Sequence, residues 1–177
     1  MRTENLAEHY AQALLEAAQE KGAEKEVAQD LVFLEKLFQE VPELLPFLAH
    51  PRVEPILKEE ALRELGEKVH PYTLSLLRLL VRRGRAGLIP HLASAYFQAS
   101  EQAGGPVHVV VRTAYPLSPA AQDQLRTRLR EALGREVALA EEVAPELLAG
   151  AELVISGRRV DASLRGRLAR LRRVLGG

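Results

Sequence analysis

The sequence changes its hydrophobic period once, at the glycine–glycine–proline triplet of residues 104–106. Before this point apolar residues recur every three or four positions, the spacing that places them on one face of an α-helix. After it comes VHVVVR, residues 107–112, in which valine recurs at every second position, as in a half-buried strand. The sequence therefore predicts a mixed fold, with an N-terminal six-helix bundle over residues 1–105 and a small α/β domain over residues 106–177.

The N-terminal part contains six segments with helical spacing, each ended by a glycine or a proline. The fifth segment is apolar around most of its circumference, which is typical of a helix at the centre of a bundle or of one that keeps a face for a partner. We favour the central position. The first segment has an alanine-rich stripe that lets another helix approach closely or leaves a shallow groove. The six segments run over 4–21, 24–40, a short stretch between 42 and 51, 55–66, 71–83 and 88–102.

The C-terminal part alternates strand and helix patterns. After the first strand, Ser118 is suited to cap a helix with Pro119 in its first turn, and Gly134 is suited to end that helix. The remaining predicted elements are a strand around 137–139, a helical turn within 144–150, two strands within 153–160 joined at Ser156 and Gly157, and a final helix from about 161 with one leucine stripe.

Composition and local patterns argue against catalysis. The chain has no cysteine, which excludes disulfides, thiolate nucleophiles and cysteine metal sites. Its five histidines lie in different predicted elements without the spacing of a helical metal site, and its serines lack the G-x-S-x-G turn of a serine hydrolase. The glycines do not follow a strand in the pattern that cradles phosphate. We therefore expect a non-enzymatic protein with no cofactor and no metal.

The start of the chain lacks the pattern of a signal peptide, and charged residues interrupt every apolar stretch before the roughly 20 residues needed to span a bilayer. We therefore expect a soluble protein that is neither exported nor inserted into a membrane. Net charge is zero, but residues 1–105 hold 12 Lys and Arg against 16 Asp and Glu, whereas residues 106–177 hold 12 against 8. This asymmetry indicates two functionally different parts and is too mild to indicate nucleic-acid binding.

The predicted final helix is the most strongly charged feature of the sequence. Five arginines follow Asp161 with no acidic residue among them: Arg165, Arg167, Arg170, Arg172 and Arg173. Such a helix can face solvent, pair with an acidic protein partner or contact nucleic acid. We rank the three interpretations in that order, because the helix has no aromatic residue and the whole chain is neutral.

Three strings resemble motifs of one family. HYAQALLEAA at 9–18 is similar to the R-Y-A-x-A-L motif that opens the delta subunit of the F-type ATP synthase. RRGRAGLIPHLASAYF at 82–97 resembles its G-R-x-x-x-x-P segment, and VDASLRGRLARL at 160–171 resembles its closing D-G-S-x-R-x-x-L signature. Order and spacing agree over the whole chain. Three positions depart from the usual residues of the family: His9, Ala151 and Ala162.

The resemblance implies a non-catalytic stator subunit that links the catalytic head of the synthase to the peripheral stalk, at the cytoplasmic face of the cell membrane. It implies that the N-terminal helix of an alpha subunit docks between the first and fifth helices of the 1–105 domain. This role falls on Tyr10, Ala11, Ala13, Leu14, Ala17, Leu76, Leu77 and Leu80. We expect a charged residue in place of Ala13 or Leu77 to weaken head binding and to leave the bundle folded.

The resemblance further implies that the 106–177 domain binds the stalk b subunits, with no nucleic acid and no cofactor. This role falls on Val154, Ile155, Val160, Leu164, Leu168 and Leu171, with Arg165 and Arg172 pairing with stalk acids. The alternative interpretation is a helical RNA-binding or transcription-regulating adaptor that uses the arginine-rich final helix. An enzyme ranks third.

Overall fold

The structure is a computed structural model that divides into two compact units, Met1–Ala99 and Ser100–Gly177. We refer to them as the helical unit and the α/β unit. The residues that the structure describes are 2–144, 147, 151–156 and 158–160.

The helical region is built from α-helices joined by short turns. Prolines stand in the first turns of α4 and α5, where the missing N–H would have no helical partner in any case. Among the described residues the helices are α1 (Arg2–Lys21), α2 (Glu24–Glu40), α3 (Leu44–Ala49), α4 (Pro55–Gly66), α5 (Pro71–Arg82), a 3-10 helix (Ala86–Leu88) and α6 (Ile89–Gln102).

The helical unit packs around α5. This helix contacts α1, α2 and α4, as its apolar circumference predicted. Thr73, Leu77 and Leu80 point inward and are almost fully buried. Because neighbouring helices close on them from several sides, the space they fill cannot easily collapse if a side chain is shortened.

A carboxylate from α2 fixes the beginning of α5. Oδ2 of Asp30 accepts a hydrogen bond from the backbone N–H of His70 at 2.7 Å and one from Oγ1 of Thr73 at 2.6 Å. Nδ1 of His70 in turn accepts from the N–H of Tyr72 at 3.3 Å. Buried polar groups at a helix start are costly unless paired, so these bonds hold α5 in register with α2.

The α/β unit contains a four-stranded sheet with strand order β2-β1-β3-β4. Strands β1 and β2 are parallel and are connected by α7, whereas β3 is antiparallel to both β1 and β4. A parallel pair needs such a crossover, and here the helix supplies it. The elements are β1 (Val107–Thr113), α7 (Pro119–Leu133), β2 (Val137–Val143), β3 (Ala151–Ile155) and β4 (Arg158–Val160).

The alternating valines of β1 give the sheet one buried face. Val107, Val109 and Val111 pack with Leu129 of α7 and Leu153 of β3. Successive residues of a strand point to opposite faces, so the side chains between these valines lie on the second face of the sheet. The apolar core of the α/β unit is therefore formed on the α7 side.

The caps predicted for α7 are confirmed. Oγ of Ser118 accepts a hydrogen bond from the N–H of Ala121 at 3.2 Å, and Gly134 ends the helix in the left-handed conformation at φ 65°. A glycine adopts this conformation without the steric cost that a Cβ brings.

The predicted fold class is confirmed as a helical region followed by a small mixed domain. The structure adds the 3-10 helix, which helical spacing did not predict, and its unit boundary after Ala99 lies earlier than the predicted one.

Within the α/β unit, Nη2 of Arg135 donates to the carbonyls of Glu101 at 2.7 Å and Gly105 at 2.8 Å. These bonds attach the end of α6 to that unit.

The strand pair predicted within 153–160 is confirmed as β3 and β4, with Ser156 at a positive φ of 48° between them. From the predicted helical turn at 144–150, the structure describes Ala144 and Leu147, which are joined by a turn hydrogen bond of 2.9 Å. The predicted final helix lies outside the described residues.

Candidate docking surfaces

The inward stripe of α1 includes two residues that the sequence assigned to partner binding. Ala11 is fully buried and Leu14 is 5% exposed, and both belong to the apolar core of the helical unit. With Ala7 and Ala18 they follow the helical period on the face that packs against the unit itself. Ala11 and Leu14 are therefore core residues in this structure, and they offer no free surface to a partner.

The inward stripe of α5 corrects the assignment in the same way. Leu77 is 1% exposed and Leu80 is fully buried in the same core, and Leu76, which is 9% exposed, lies at the edge between this stripe and the outer one. A charged side chain in place of Leu77 would lie in that core without a counter-charge, which destabilises strongly. We therefore expect such a variant to lose stability rather than to stay folded, contrary to the expectation from the sequence.

A second stripe of α1 lies beside the inward one. Leu6, Tyr10, Ala13 and Ala17 have i, i+4, i+7 and i+11 spacing, so they share one side of the helix. Ala13 is exposed, and the other three are half-buried. Of the residues assigned from sequence, Tyr10, Ala13 and Ala17 are thus the ones on α1 that a partner can contact.

A matching stripe of α5 was found only in part from the sequence, which assigned Leu76 and missed Tyr72, Leu79 and Arg83. Tyr72, Leu76, Leu79 and Arg83 have the same spacing along this helix and its end, and Leu79 is 39% exposed. The signal that could have found Leu79 is an apolar residue directly beside the inward positions of a helix that is apolar nearly all round. We name the two stripes, Leu6, Tyr10, Ala13, Ala17, Tyr72, Leu76, Leu79 and Arg83, the α1–α5 seam.

At one end of the seam, a tyrosine of α1 lies near two arginines at the end of α5. Nη1 of Arg85 donates to the hydroxyl oxygen of Tyr10 at 2.5 Å, and its guanidinium carbon lies 5.9 Å from the centre of the Tyr10 ring. Burial raises the pKa of Tyr10, but hydrogen bonds from Arg85 and Arg83 and their positive charges outweigh burial, so the pKa lies below its usual value. The Tyr10 hydroxyl therefore marks where the two helices meet.

A flank of α5 next to Leu79 pairs with α4. Glu59 of α4 pairs with Arg78 at 2.5 Å and with Arg82 at 3.5 Å. On the helical wheel Arg82 lies about 60° and Arg78 about 100° from Leu79. Helix α4 therefore borders the α1–α5 seam on this side, and Leu79 stays 39% exposed beside it.

The β3 residues assigned to stalk binding do not share one surface. Ile155 packs with the core on the α7 side, where its register partner is the buried Val109. Val154 is opposite Val110 and lies on the second face of the sheet. Val160 is in β4 opposite Leu153, and Leu164, Leu168, Leu171, Arg165 and Arg172 lie outside the described residues.

The second face of the sheet carries a row of charges across three strands. Arg112 of β1 donates from Nε to Glu142 of β2 at 3.0 Å and from Nη1 to Glu152 of β3 at 2.7 Å. The hydrogen bond that Arg112 donates to Glu152 raises the pKa of Arg112; burial lowers this pKa, and the hydrogen bond to Glu142 and the charges of both glutamates raise it further. This Glu–Arg–Glu row joins β2, β1 and β3 on the face that α7 does not cover.

Among the described residues, each unit contains an apolar cavity. One of about 230 Å³ lies between α2, α3 and α6, and one of about 170 Å³ lies between β1, β3 and α7. The first has a single titratable side chain in its lining, Glu35, and the lining of the second has none. Neither cavity therefore presents the acid–base pair that a hydrolytic site requires.

In the part of the chain that the structure describes, no three histidine, aspartate or glutamate side chains come together as metal ligands. None of the described helices is long and apolar enough to cross a membrane.

The sequence matches one protein family over almost its full length. The family is described as the ATP synthase delta (OSCP) subunit, and the match covers residues 6–175. The ATP synthase subunit delta of Halalkalibacterium halodurans is 34% identical over 99% of this chain and 97% of the relative. The ATP synthase subunit delta of Carboxydothermus hydrogenoformans is 30% identical over the full length of both.

A solved structure shows the same similarity in three dimensions. A chain in the cryo-EM structure of the Toxoplasma gondii mitochondrial ATP synthase hexamer superposes with a TM-score of 0.62 at 26% identity. The superposition covers 97% of this chain and 98% of that chain.

Proposed function

The chain belongs to the ATP synthase delta (OSCP) subunit family, and we propose that its α1–α5 seam binds the catalytic head of the synthase. As a member of this family it is a non-catalytic component of the peripheral stalk of the complex. Its function is mechanical linkage, which requires two separate contacts: one with the head and one with the rest of the stalk.

The observation that carries the proposal is the pair of outer stripes on α1 and α5, two helices that contact each other. Ala13 and Ala17 are small, so a third helix can approach the α1 side closely, while Leu79 offers an exposed apolar contact on the α5 side. An amphipathic helix binds such a groove through residues at helical spacing. We identify the partner as the N-terminal helix of an alpha subunit, as the sequence motifs implied.

The second contact is assigned to the α/β unit and to the b subunits of the stalk. Val154 supports this assignment, since it lies on the sheet face opposite α7. The arginine-rich segment after Asp161 adds positive charge that suits acidic stalk residues. In this arrangement the protein is peripheral to the membrane, on its cytoplasmic side, and the head is held against rotation by one protein with two surfaces.

A charge placed on the seam tests the proposal. The full chain is titrated by calorimetry with a synthetic peptide of the alpha subunit's N-terminal segment from the same organism. Ala13→Asp should weaken binding by roughly ten- to a hundredfold, since an unpaired charge is then buried under the peptide. Because Ala13 is exposed in the free protein, the variant should keep its melting temperature within a few degrees.

The matched control is Gln12→Asp, the same new residue one position along α1. Gln12 is exposed and lies away from the seam, so its variant should bind the peptide as the wild type does. Equal binding by Ala13→Asp and the wild type would exclude the seam as the head-binding surface.

A further inference from the structure

Some of the arginines at the end of α5 carry positive charge that no ion pair among the described residues neutralises. The helix ends at Arg82 and is followed by Arg83, Gly84 and Arg85, of which Arg83 is exposed and Arg85 is half-buried. In the described part of the chain, the ion pairs of this region go to Glu59, which takes Arg78 and Arg82. No ion pair among the described residues includes Arg83 or Arg85.

Backbone hydrogen bonds alone stabilise this helix end, so the side chains of the two arginines are not required for it. Gly84 adopts the left-handed conformation at φ 66°, the N–H of Arg85 donates to the carbonyl of Leu80 at 2.7 Å, and the N–H of Gly84 donates to that of Val81 at 3.0 Å. This pair of bonds is the Schellman motif, which satisfies the last carbonyls of a helix. The guanidinium groups of Arg83 and Arg85 are therefore not needed to cap α5.

The Arg85 guanidinium instead meets one neutral oxygen at the seam, and the positive charge of Arg83 acts on the same oxygen. Nη1 of Arg85 donates to the hydroxyl of Tyr10, which is the second residue of the α1 stripe, and both arginines lower the pKa of that hydroxyl. A phenol oxygen satisfies only part of two guanidinium groups, each of which has five N–H donors in a planar fork. A carboxylate is the group that this fork recognises best, through two parallel hydrogen bonds.

We propose that the seam selects a partner helix with an acidic residue at one end of its apolar stripe, and that this carboxylate binds Arg83 and Arg85 beside Tyr10. The proposal rests on the assignment of the seam as the head-binding surface and adds the chemistry of the partner. The apolar stripes give affinity, whereas the carboxylate sets the direction and register in which the partner helix lies. Charge complementarity supports this occupant, because the described ion pairs leave Arg83 and Arg85 without an acid.

The test is a double-mutant cycle on the full chain with the same alpha-subunit peptide. Each acidic residue of the peptide is changed in turn to its amide, and the protein variants are Arg83→Gln and Arg85→Gln. One peptide substitution should weaken binding to the wild-type protein roughly tenfold, the size of one lost charge-assisted hydrogen bond. The same substitution should have little further effect on the arginine variants, and wild-type binding should weaken as salt is raised.

Two controls separate carboxylate binding from a structural role. Arg82→Gln removes an arginine that faces Glu59 and should bind like the wild type. Tyr10→Phe removes the phenol oxygen and keeps both arginines, so it should retain the coupling to the peptide carboxylate and the salt dependence. If Tyr10→Phe instead loses as much affinity as Arg85→Gln, the arginines serve only to hold Tyr10 and the proposal is overturned.

The outcomes also separate this proposal from the assignment of the seam. If Ala13→Asp weakens binding but every arginine variant binds like the wild type, the seam stands and the carboxylate site is refuted. If neither change affects binding, both are refuted. Coupling between one peptide carboxylate and the two arginines supports both.

Discussion

The helical unit and the α/β unit differ in the interactions that stabilise their exposed surfaces. In the helical unit, α1 and α5 each present an outer stripe while their inner stripes are locked in a large apolar core. In the described part of the α/β unit the core is smaller and lies on the α7 side of the sheet, and on the other side Arg112 joins Glu142 and Glu152. A surface of the first kind is as rigid as the core behind it, whereas one of the second kind depends on polar pairs and on protonation.

The largest effect that this comparison predicts is at α5. Leu80→Ala should lower the free energy of unfolding by about 2–5 kcal/mol, because Leu80 is fully buried among several helices and the cavity cannot close. Urea unfolding of the full chain, followed by helical circular dichroism, measures the change. The neighbouring variant Leu79→Ala should cost less than about 1 kcal/mol, since Leu79 is 39% exposed. Similar losses at the two positions would show that α5 has no distinct inner and outer stripes.

A smaller effect is expected in the α/β unit, where the free energy of unfolding should depend on pH. Burial lowers the pKa of His108, which lies on the second face of the sheet. In the unfolded chain the same histidine takes up a proton near pH 6.5. The unfolded state therefore binds more protons just below that pH, and stability falls as the pH drops through 6.5 toward the lower folded-state pKa.

Replacing His108 by Gln should remove this contribution. Between pH 7.5 and 5.5 the wild-type chain should lose at most about 1.4 kcal/mol per pH unit through His108, and the His108→Gln variant should lose correspondingly less. Thermal unfolding of both proteins across this range measures the difference. Identical pH dependence of the two proteins would show that His108 is equally solvated before and after unfolding.

Residues that end helices and strands made most of the fold predictable. Gly134, Ser118 and the glycine–glycine–proline triplet at 104–106 set element ends through backbone geometry that depends only on nearby residues. The alternating valines of β1 likewise predicted which side chains face the core. These are short-range effects, so a sequence carries them in full.

The surface that we propose for docking was harder to predict, because its residues and the core residues have the same helical spacing. Ala11 and Leu77 are apolar and correctly spaced, but they belong to the inner stripe, whereas Ala13 and Leu79 lie on the outer one. Which stripe turns inward depends on how α1, α4 and α5 are rotated against one another. That rotation is set by tertiary contacts, such as Glu59 with Arg78, that no local pattern specifies.

The same limit applies to the sheet. Val154 and Ile155 were assigned together because both are β-branched and adjacent. Strand alternation alone puts them on opposite faces, and the pairing of β3 with β1 decides that Ile155 is the one facing α7.

The most direct test of the central claim compares two exposed leucines. Leu79 on the seam is 39% exposed and Leu57 on α4 is 46% exposed, so aspartate at either position should leave the chain folded. Affinity of the full chain for the alpha-subunit N-terminal peptide is measured for both variants. Leu79→Asp should bind roughly ten- to a hundredfold more weakly than the wild type, and Leu57→Asp should bind equally well. Wild-type affinity in the Leu79→Asp variant, or a loss confined to Leu57→Asp, would contradict the assignment of the α1–α5 seam as the surface that holds the catalytic head.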